Sequence, residues 1–130
     1  MKTLRKYSSL YLLIFIVAGC ASAPTTDDNS DMAAAEKAKL ESEALAGSPE
    51  AAQSLMSYYS LKRPNTQEAM YWAHIEAENG SAVGMYNYGF YLSKDADPRN
   101  QARAKFWLEQ ADKNGAPLAE NLLKQMEAKQ

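Results

Sequence analysis

The sequence predicts an all-α protein, a short α-solenoid of about two full helix-turn-helix repeats with a half repeat on each side. Gly47, Gly80 and Gly115 are 33 and 35 residues apart. Trp72 and Trp107 each stand eight residues before a repeat glycine. Helix formers, caps and prolines divide the chain at matching places, so each repeat is expected to contain two helices.

Residues 1–19 predict an export signal. A basic start is followed by an uncharged apolar run over residues 10–18, which is too short to cross about 30 Å of hydrocarbon as a helix. The run ends in Val17-Ala18-Gly19-Cys20, which resembles the lipobox of bacterial lipoproteins. The resemblance implies that Cys20 is lipidated and becomes the first mature residue. The alternatives are an ordinary signal peptide that contains a cysteine, or a buried structural cysteine.

The predicted lipid anchor decides the expected location. Several acyl chains would hold the protein on a membrane essentially permanently. Ala21, in place of Asp, implies the outer membrane facing the periplasm by resemblance to sorting in bacteria with two membranes. Removal of residues 1–19 leaves 11 basic and 16 acidic residues, net −5. This acidity argues against nucleic acid as a partner, because phosphate neutralisation needs clustered Lys and Arg.

Residues 20–31 are predicted to form the lipidated cysteine and a flexible tether. The eleven residues from Ala21 reach at most about 36 Å when extended. Residues 32–46 consist of good helix formers and predict an N-terminal capping helix, with Ser30 or Asp31 as its cap. Its apolar face is mostly alanine, so we expect it to pack weakly and to fray first.

Residues 47–130 are predicted to form the repeat domain, with helices over 49–61, 66–79, 82–92, 98–114 and 117–127. Three prolines fall at expected first helical positions, where a missing amide hydrogen costs nothing: Pro49, Pro98 and Pro117. The expected caps are Asn65 or Thr66, Ser81, and Asp97. Each repeat glycine is placed to adopt the left-handed conformation that ends a helix.

Each repeat glycine is followed by a small and a large residue on one helix face. The small residues, at the fourth position, are Ala51, Gly84 and Ala119, and the large ones, at the eighth, are Leu55, Tyr88 and Leu123. We expect the small residues to allow close helix contact and the large ones to fill the core.

The stretches from Ala69-x-x-Trp72 to Gly80 and from Ala104-x-x-Trp107 to Gly115 resemble SEL-like repeats, relatives of the tetratricopeptide repeat. The chain departs from this family because residues 61–66 and 92–98 lack its glycine-rich turn. The resemblance implies a protein-binding module whose first helices line a concave surface. The partner-binding candidates on those helices are Gln53, Ser57, Tyr58, Tyr86 and Asn87.

The sequence offers little for catalysis. One Cys and one His cannot form the usual zinc site, and no cofactor, metal or small-molecule substrate is inferred. His74 is expected to point to solvent. The acidic pairs Glu76/Glu78 and Asp95/Asp97 are expected to lie on solvated faces or at caps. We therefore expect no enzyme activity.

The leading hypothesis is an outer-membrane lipoprotein that binds another protein and scaffolds or regulates an envelope assembly. The alternative is an immunity protein that neutralises a periplasmic toxin, such as a secreted phospholipase effector. A hydrolase of cell-wall or lipid substrates is the third hypothesis, and it requires a catalytic pair that the sequence does not offer.

Overall fold

The structure, a computed structural model, describes residues 31–128. The predicted signal, Cys20 and all of the tether except Asp31 lie outside the described residues. The α-helices are α1 (Ala34–Leu45), α2 (Pro49–Ser57), α3 (Thr66–Glu78), α4 (Ala82–Leu92), α5 (Pro98–Lys113) and α6 (Ala119–Glu127). A π-helical turn, Tyr58–Lys62, continues α2.

The described part of the chain contains helices and turns and no strand, which confirms the all-α prediction. Each helix packs mainly against the helix that precedes it and the one that follows it, and α1 also contacts α3. Between residues 31 and 128, no helix combines the length and apolar character needed to cross a membrane.

Side-chain caps set most helix starts. The side chains of Ser48, Asn65, Ser81 and Asp97 each accept a hydrogen bond from a backbone amide in the first turn of the helix that follows. Pro49 and Pro98 are first helical residues, as predicted.

The prediction for Pro117 was wrong, because α6 begins only at Ala119. The amide of Ala119 donates to the carbonyl of Ala116 at 3.2 Å, which closes a tight turn over Pro117 and Leu118 before the helix starts.

The predicted cap of α1 was also wrong. The N-cap residue is Ala33, which has no capping side chain. The carboxylate of Asp31 is engaged elsewhere, since it accepts hydrogen bonds from the hydroxyl of Tyr58 and the guanidinium of Arg63. The end of the tether is therefore held on the π-helical turn.

The three repeat glycines make equivalent turns. Gly47, Gly80 and Gly115 have φ of 108°, 90° and 84°, as a left-handed helix end requires. In each turn, the residue after the glycine donates its amide hydrogen to the carbonyl five residues earlier. These bonds are Ser48 to Glu43 at 3.0 Å, Ser81 to Glu76 at 3.2 Å and Ala116 to Ala111 at 2.9 Å.

The core is built largely from small residues. One buried cluster contains Ala44, Ala51, Ala52, Leu55 and Trp72, and a second contains Ala111, Ala116 and Ala119. All three small residues at the fourth repeat position are buried, as predicted. At the eighth position only Leu55 is fully buried, whereas Tyr88 and Leu123 are half-buried.

Candidate protein-binding face

The predicted partner-binding residues divide between two helices. Gln53 and Ser57 lie one turn apart on α2, and Tyr58 begins the π-helical turn. Tyr86 and Asn87 lie on α4. Gln53 is exposed and the other four are half-buried. Most of these side chains therefore combine packing with partial access to solvent.

Ser57 and Tyr58 line a groove of about 340 Å³ between the start of α1 and the end of α2, whereas Gln53 is outside its lining. Its other lining residues are Asp31, Met32, Glu36, Ser54, Leu61 and Lys62. The hydrogen bond to Asp31 raises the pKa of Tyr58. Arg63, and then Tyr58, lower the pKa of Asp31.

Tyr86 packs against the second core cluster, which fixes its ring at the junction of α4 with the turn between α5 and α6. The rings of Tyr86 and Phe90 stack with their centroids 6.4 Å apart. Phe90 in turn meets Tyr91 edge to face at 6.0 Å. Tyr86 thus supports Phe90, which is the more exposed ring, at 36%.

Large apolar side chains are exposed on the helices that follow the repeat glycines. Val83 and Leu118 both occupy the third position after a repeat glycine and are 46% and 56% exposed. Phe90 occupies the tenth position, equivalent to Ser57 on α2 and Gln125 on α6. Positions three, seven and ten lie on one stripe of a helix.

We name this stripe the binding face. Its members are Glu50, Ser54 and Ser57 on α2, Val83, Asn87 and Phe90 on α4, and Leu118, Leu122 and Gln125 at α6. Val83, Phe90 and Leu118 were not among the predicted partner-binding residues, and the shared repeat position of Val83 and Leu118 is the one sequence signal that relates two of them.

Contacts beside the binding face join the elements that carry it. The hydroxyls of Ser60 and Tyr91 share a hydrogen bond of 2.9 Å, which joins the π-helical turn to α4. A cavity of about 350 Å³ between the end of α4 and α6 is lined by Ser93, Lys94, Ala96, Gln101, Leu122, Gln125 and Met126. The Lys94 ammonium lies 4.3 Å from the ring centroid of Phe90, at the border between the face and this cavity.

His74 was predicted to point to solvent, and this prediction was wrong. Its side chain is 31% exposed, and its ring stacks on Tyr88 at a centroid distance of 4.4 Å. Trp107 meets it edge to face at 6.0 Å, and Nε2 lies 3.3 Å from an oxygen of Glu78. The aromatic residues of α4 and α5 cover His74 because α3 lies against α4.

Glu76 was expected on a solvated face, and this prediction was wrong. It is 1% exposed, and its Oε1 accepts a hydrogen bond of 2.7 Å from the Ser81 hydroxyl. Burial raises the pKa of Glu76, while the bond from Ser81 acts in the opposite direction. Alignment of the repeats at their glycines does not reveal this burial, because Glu76 is equivalent both to the buried Ala111 and to the exposed Glu43.

The other acidic residues behave as caps or surface partners. Asp97 caps α5 and also binds the Arg99 guanidinium, which lowers the pKa of Asp97. Asp95 accepts a hydrogen bond from the Asn100 side chain at 2.6 Å. Among residues 31–128, no group of three or more His, Cys, Asp or Glu side chains could hold a metal ion.

Within residues 31–128, the geometry therefore offers a face that is polar on α2 and partly apolar on α4 and at α6. Comparisons with models of protein families, with curated proteins and with solved structures give no match to this chain.

Proposed function

We propose that this protein is an outer-membrane lipoprotein, anchored through Cys20, whose SEL-like α-solenoid binds another protein of the cell envelope. One observation carries the binding role: apolar side chains are exposed on the stripe defined above, with Val83 and Leu118 at the same repeat position and Phe90 two turns after Val83 on α4. Exposed apolar side chains that lie together on one face are typical of protein-binding surfaces, whereas single scattered ones are not. The lipobox at residues 17–20 supports the anchor.

Phe90 is the best candidate for the centre of the interface. Its ring is held by Tyr86 and Tyr91, so little side-chain entropy remains to be lost on binding. Aromatic side chains supported by neighbours are typical binding hot spots. The half-buried Asn87 lies one turn before it and can supply a hydrogen bond to the partner.

Site-specific photocrosslinking in intact cells tests the face. A photoreactive residue replaces Val83 or Gln125 on the binding face, and Lys39 or Arg103 at exposed positions elsewhere. We expect the same partner at both face positions and at neither control position. Phe90→Ala should reduce that crosslink at least about tenfold, as loss of a hot-spot residue does. Equal crosslinking at all four positions would contradict the proposal.

The anchor is tested separately with Cys20→Ala. The unanchored chain should leave the membrane fraction yet keep its partner in solution, because the face lies within the described body. A chain that lacks both Cys20 and the signal, as shown by its mass, and yet stays in the membrane fraction would contradict the lipid anchor. Recovery of a toxic effector instead of a resident envelope protein would favour the immunity role.

A further inference from the structure

We propose that Glu76 and Ser81 form a pH-sensitive junction between α3 and α4, which opens more readily as the pH rises. The inference does not depend on the proposed function. It rests on two observations. Only one of the two carboxyl oxygens of Glu76 has a hydrogen-bond partner among the described residues, and the next repeat has alanines in place of Glu76 and Ser81.

The junction holds a buried carboxyl group in a tight space. Glu76 Oε1 accepts the 2.7 Å hydrogen bond from Ser81, whereas Oε2 is buried and has no hydrogen-bond partner among the described residues. A Cβ atom at Gly84 would lie only 2.7 Å from Glu76 Cβ, so α4 presses directly on this side chain. An ionised carboxylate with a buried oxygen lacking a partner is costly, whereas the protonated acid is tolerated better.

The next repeat shows the same junction without the polar pair. Aligned at their glycines, Glu76 and Ser81 correspond to Ala111 and Ala116. Both alanines are buried, at 0% and 7% exposure, and both turns keep the same backbone hydrogen bond. The fold therefore does not require an acid at this position. The carboxyl group therefore makes the opening of the α3–α4 junction depend on pH, whereas the equivalent positions of the α5–α6 junction hold no such group.

Charged neighbours do not account for the raised pKa of Glu76. The pKa of Glu76 is raised by burial and opposed only by the bond from Ser81. α4 carries no charged residue, and α2 carries only Glu50, which binds the Ser48 hydroxyl at 3.1 Å. The other ionisable groups on α3 and on the elements around it do not contribute: Glu36, Lys37, Lys39, Glu41, Glu43, Tyr58, Tyr59, Lys62, Glu68, Tyr71, His74, Glu78, Tyr86, Tyr88 and Tyr91.

The sign of the pH dependence follows from proton binding. Because the pKa of Glu76 is higher in the folded protein than the usual 4.5, the closed junction binds more protons than the open one above that pH. Closure is then weakened as the pH rises from about 4.5 through the raised pKa. The limiting effect is about a tenfold change in the opening constant per pH unit.

Amide hydrogen exchange in the full-length chain tests this junction. The Ser81 amide reports the α3–α4 turn, and the equivalent Ala116 amide reports the α5–α6 turn as an internal control. Opening constants, corrected for intrinsic exchange, are compared from pH 4.5 to about pH 8. We expect the constant at Ser81 to rise several-fold and the constant at Ala116 to stay level.

Two variants make the test decisive. Glu76→Gln keeps the shape but cannot ionise, so the pH dependence at Ser81 should disappear. The double variant Glu76→Ala with Ser81→Ala copies the next junction and should also give a level profile, which preserves the test if the glutamine variant folds poorly. A pH dependence at Ser81 that survives in a folded variant, or that is equal at Ser81 and Ala116 in the wild type, would overturn the proposal.

Discussion

Gly84 lies where α4 is in close contact with the backbone of α3. A Cβ atom at this position would stand 2.6 Å from the backbone nitrogen of Ala77 and 2.7 Å from the carbonyl carbon of Glu76. Backbone atoms cannot move aside as a flexible side chain can, so a methyl group would push the two helices apart. The glycine therefore sets the helix spacing at this junction.

We expect Gly84→Ala to lower the free energy of unfolding by about 1–3 kcal/mol, the usual cost of overpacking a core. Urea denaturation followed by far-UV circular dichroism measures the change. Val83→Ala is the matched control, because it removes atoms from an exposed neighbouring residue and should change stability by less than about 0.5 kcal/mol. Similar losses in the two variants would contradict the packing explanation.

Sequence reasoning at the residue scale succeeds where one residue type determines one backbone state. The left-handed turns at Gly47, Gly80 and Gly115 were predicted correctly for this reason. It fails for Glu76, because an acidic residue on a helix is normally solvated, and the equivalent positions hold the exposed Glu43 and the buried Ala111. The exposed Phe90 was missed because an aromatic residue on a helix is commonly assigned to the core.

At the element scale, the start of α1 is held by a side chain outside the helix. Asp31 bonds to Tyr58 on the π-helical turn and to Arg63 directly after it, while α1 itself has no capping side chain. Met32 packs against the first core cluster. This short segment compensates for the alanine-rich face of α1, which the sequence predicted to pack weakly.

Asp31→Ala and Arg63→Ala should each reduce hydrogen-exchange protection in the first turns of α1. The double variant should lose little more than either single one, because both changes remove the same contact. Fully additive losses would contradict a shared contact. Even in the wild type we expect α1 to be less protected than α4 and α5.

The Asp31 contact should also weaken in acid. Since Arg63 and Tyr58 lower the pKa of Asp31 below 3.8, its contribution is complete above that pH and is lost as the pH falls through the lowered pKa. Protection of the first turn of α1 should therefore fall in acid in the wild type. In Asp31→Ala it should not show this loss, and an unchanged acid profile would contradict the contact.

Helix boundaries were predicted well because prolines, caps and glycines act locally. The starts of α2, α3, α4 and α5 agree with the structure. The π-helical turn was expected to be ordinary α-helix, since its bond from the Arg63 amide to the Tyr58 carbonyl, 2.9 Å, follows no sequence signal. Such a turn is set by packing against other parts of the fold.

At the scale of the whole molecule, α6 ends the row of helices with a charged surface. The fifth and ninth positions after the repeat glycines hold Ala52 and Met56 on α2, and Met85 and Gly89 on α4, which are packed against neighbouring residues. On α6 the same positions hold Glu120 and Lys124, an exposed ion pair of 2.6 Å. Polar side chains at these positions suit a helix face that caps the packed core and stays in solvent.

Replacement of this pair by apolar residues, Glu120→Met with Lys124→Leu, should cause self-association. Sedimentation velocity should show a concentration-dependent increase in mass that the wild type lacks at the same concentrations. Arg103→Met with Lys113→Leu, on exposed parts of α5, is the control with equal added hydrophobicity. A monomeric α6 variant, or equal association of the control, would contradict a capping role.

The hydrogen bonds that Asp31 accepts also determine how the helical part of the chain would respond to mechanical force. A pull on the N-terminal segment would reach Tyr58 and Arg63 before it could peel α1 away from α2. The load would then pass into the π-helical turn and, through the hydrogen bond between Ser60 and Tyr91, into α4. Part of the tension along the chain would thus be shared with the centre of the molecule instead of falling on α1 alone.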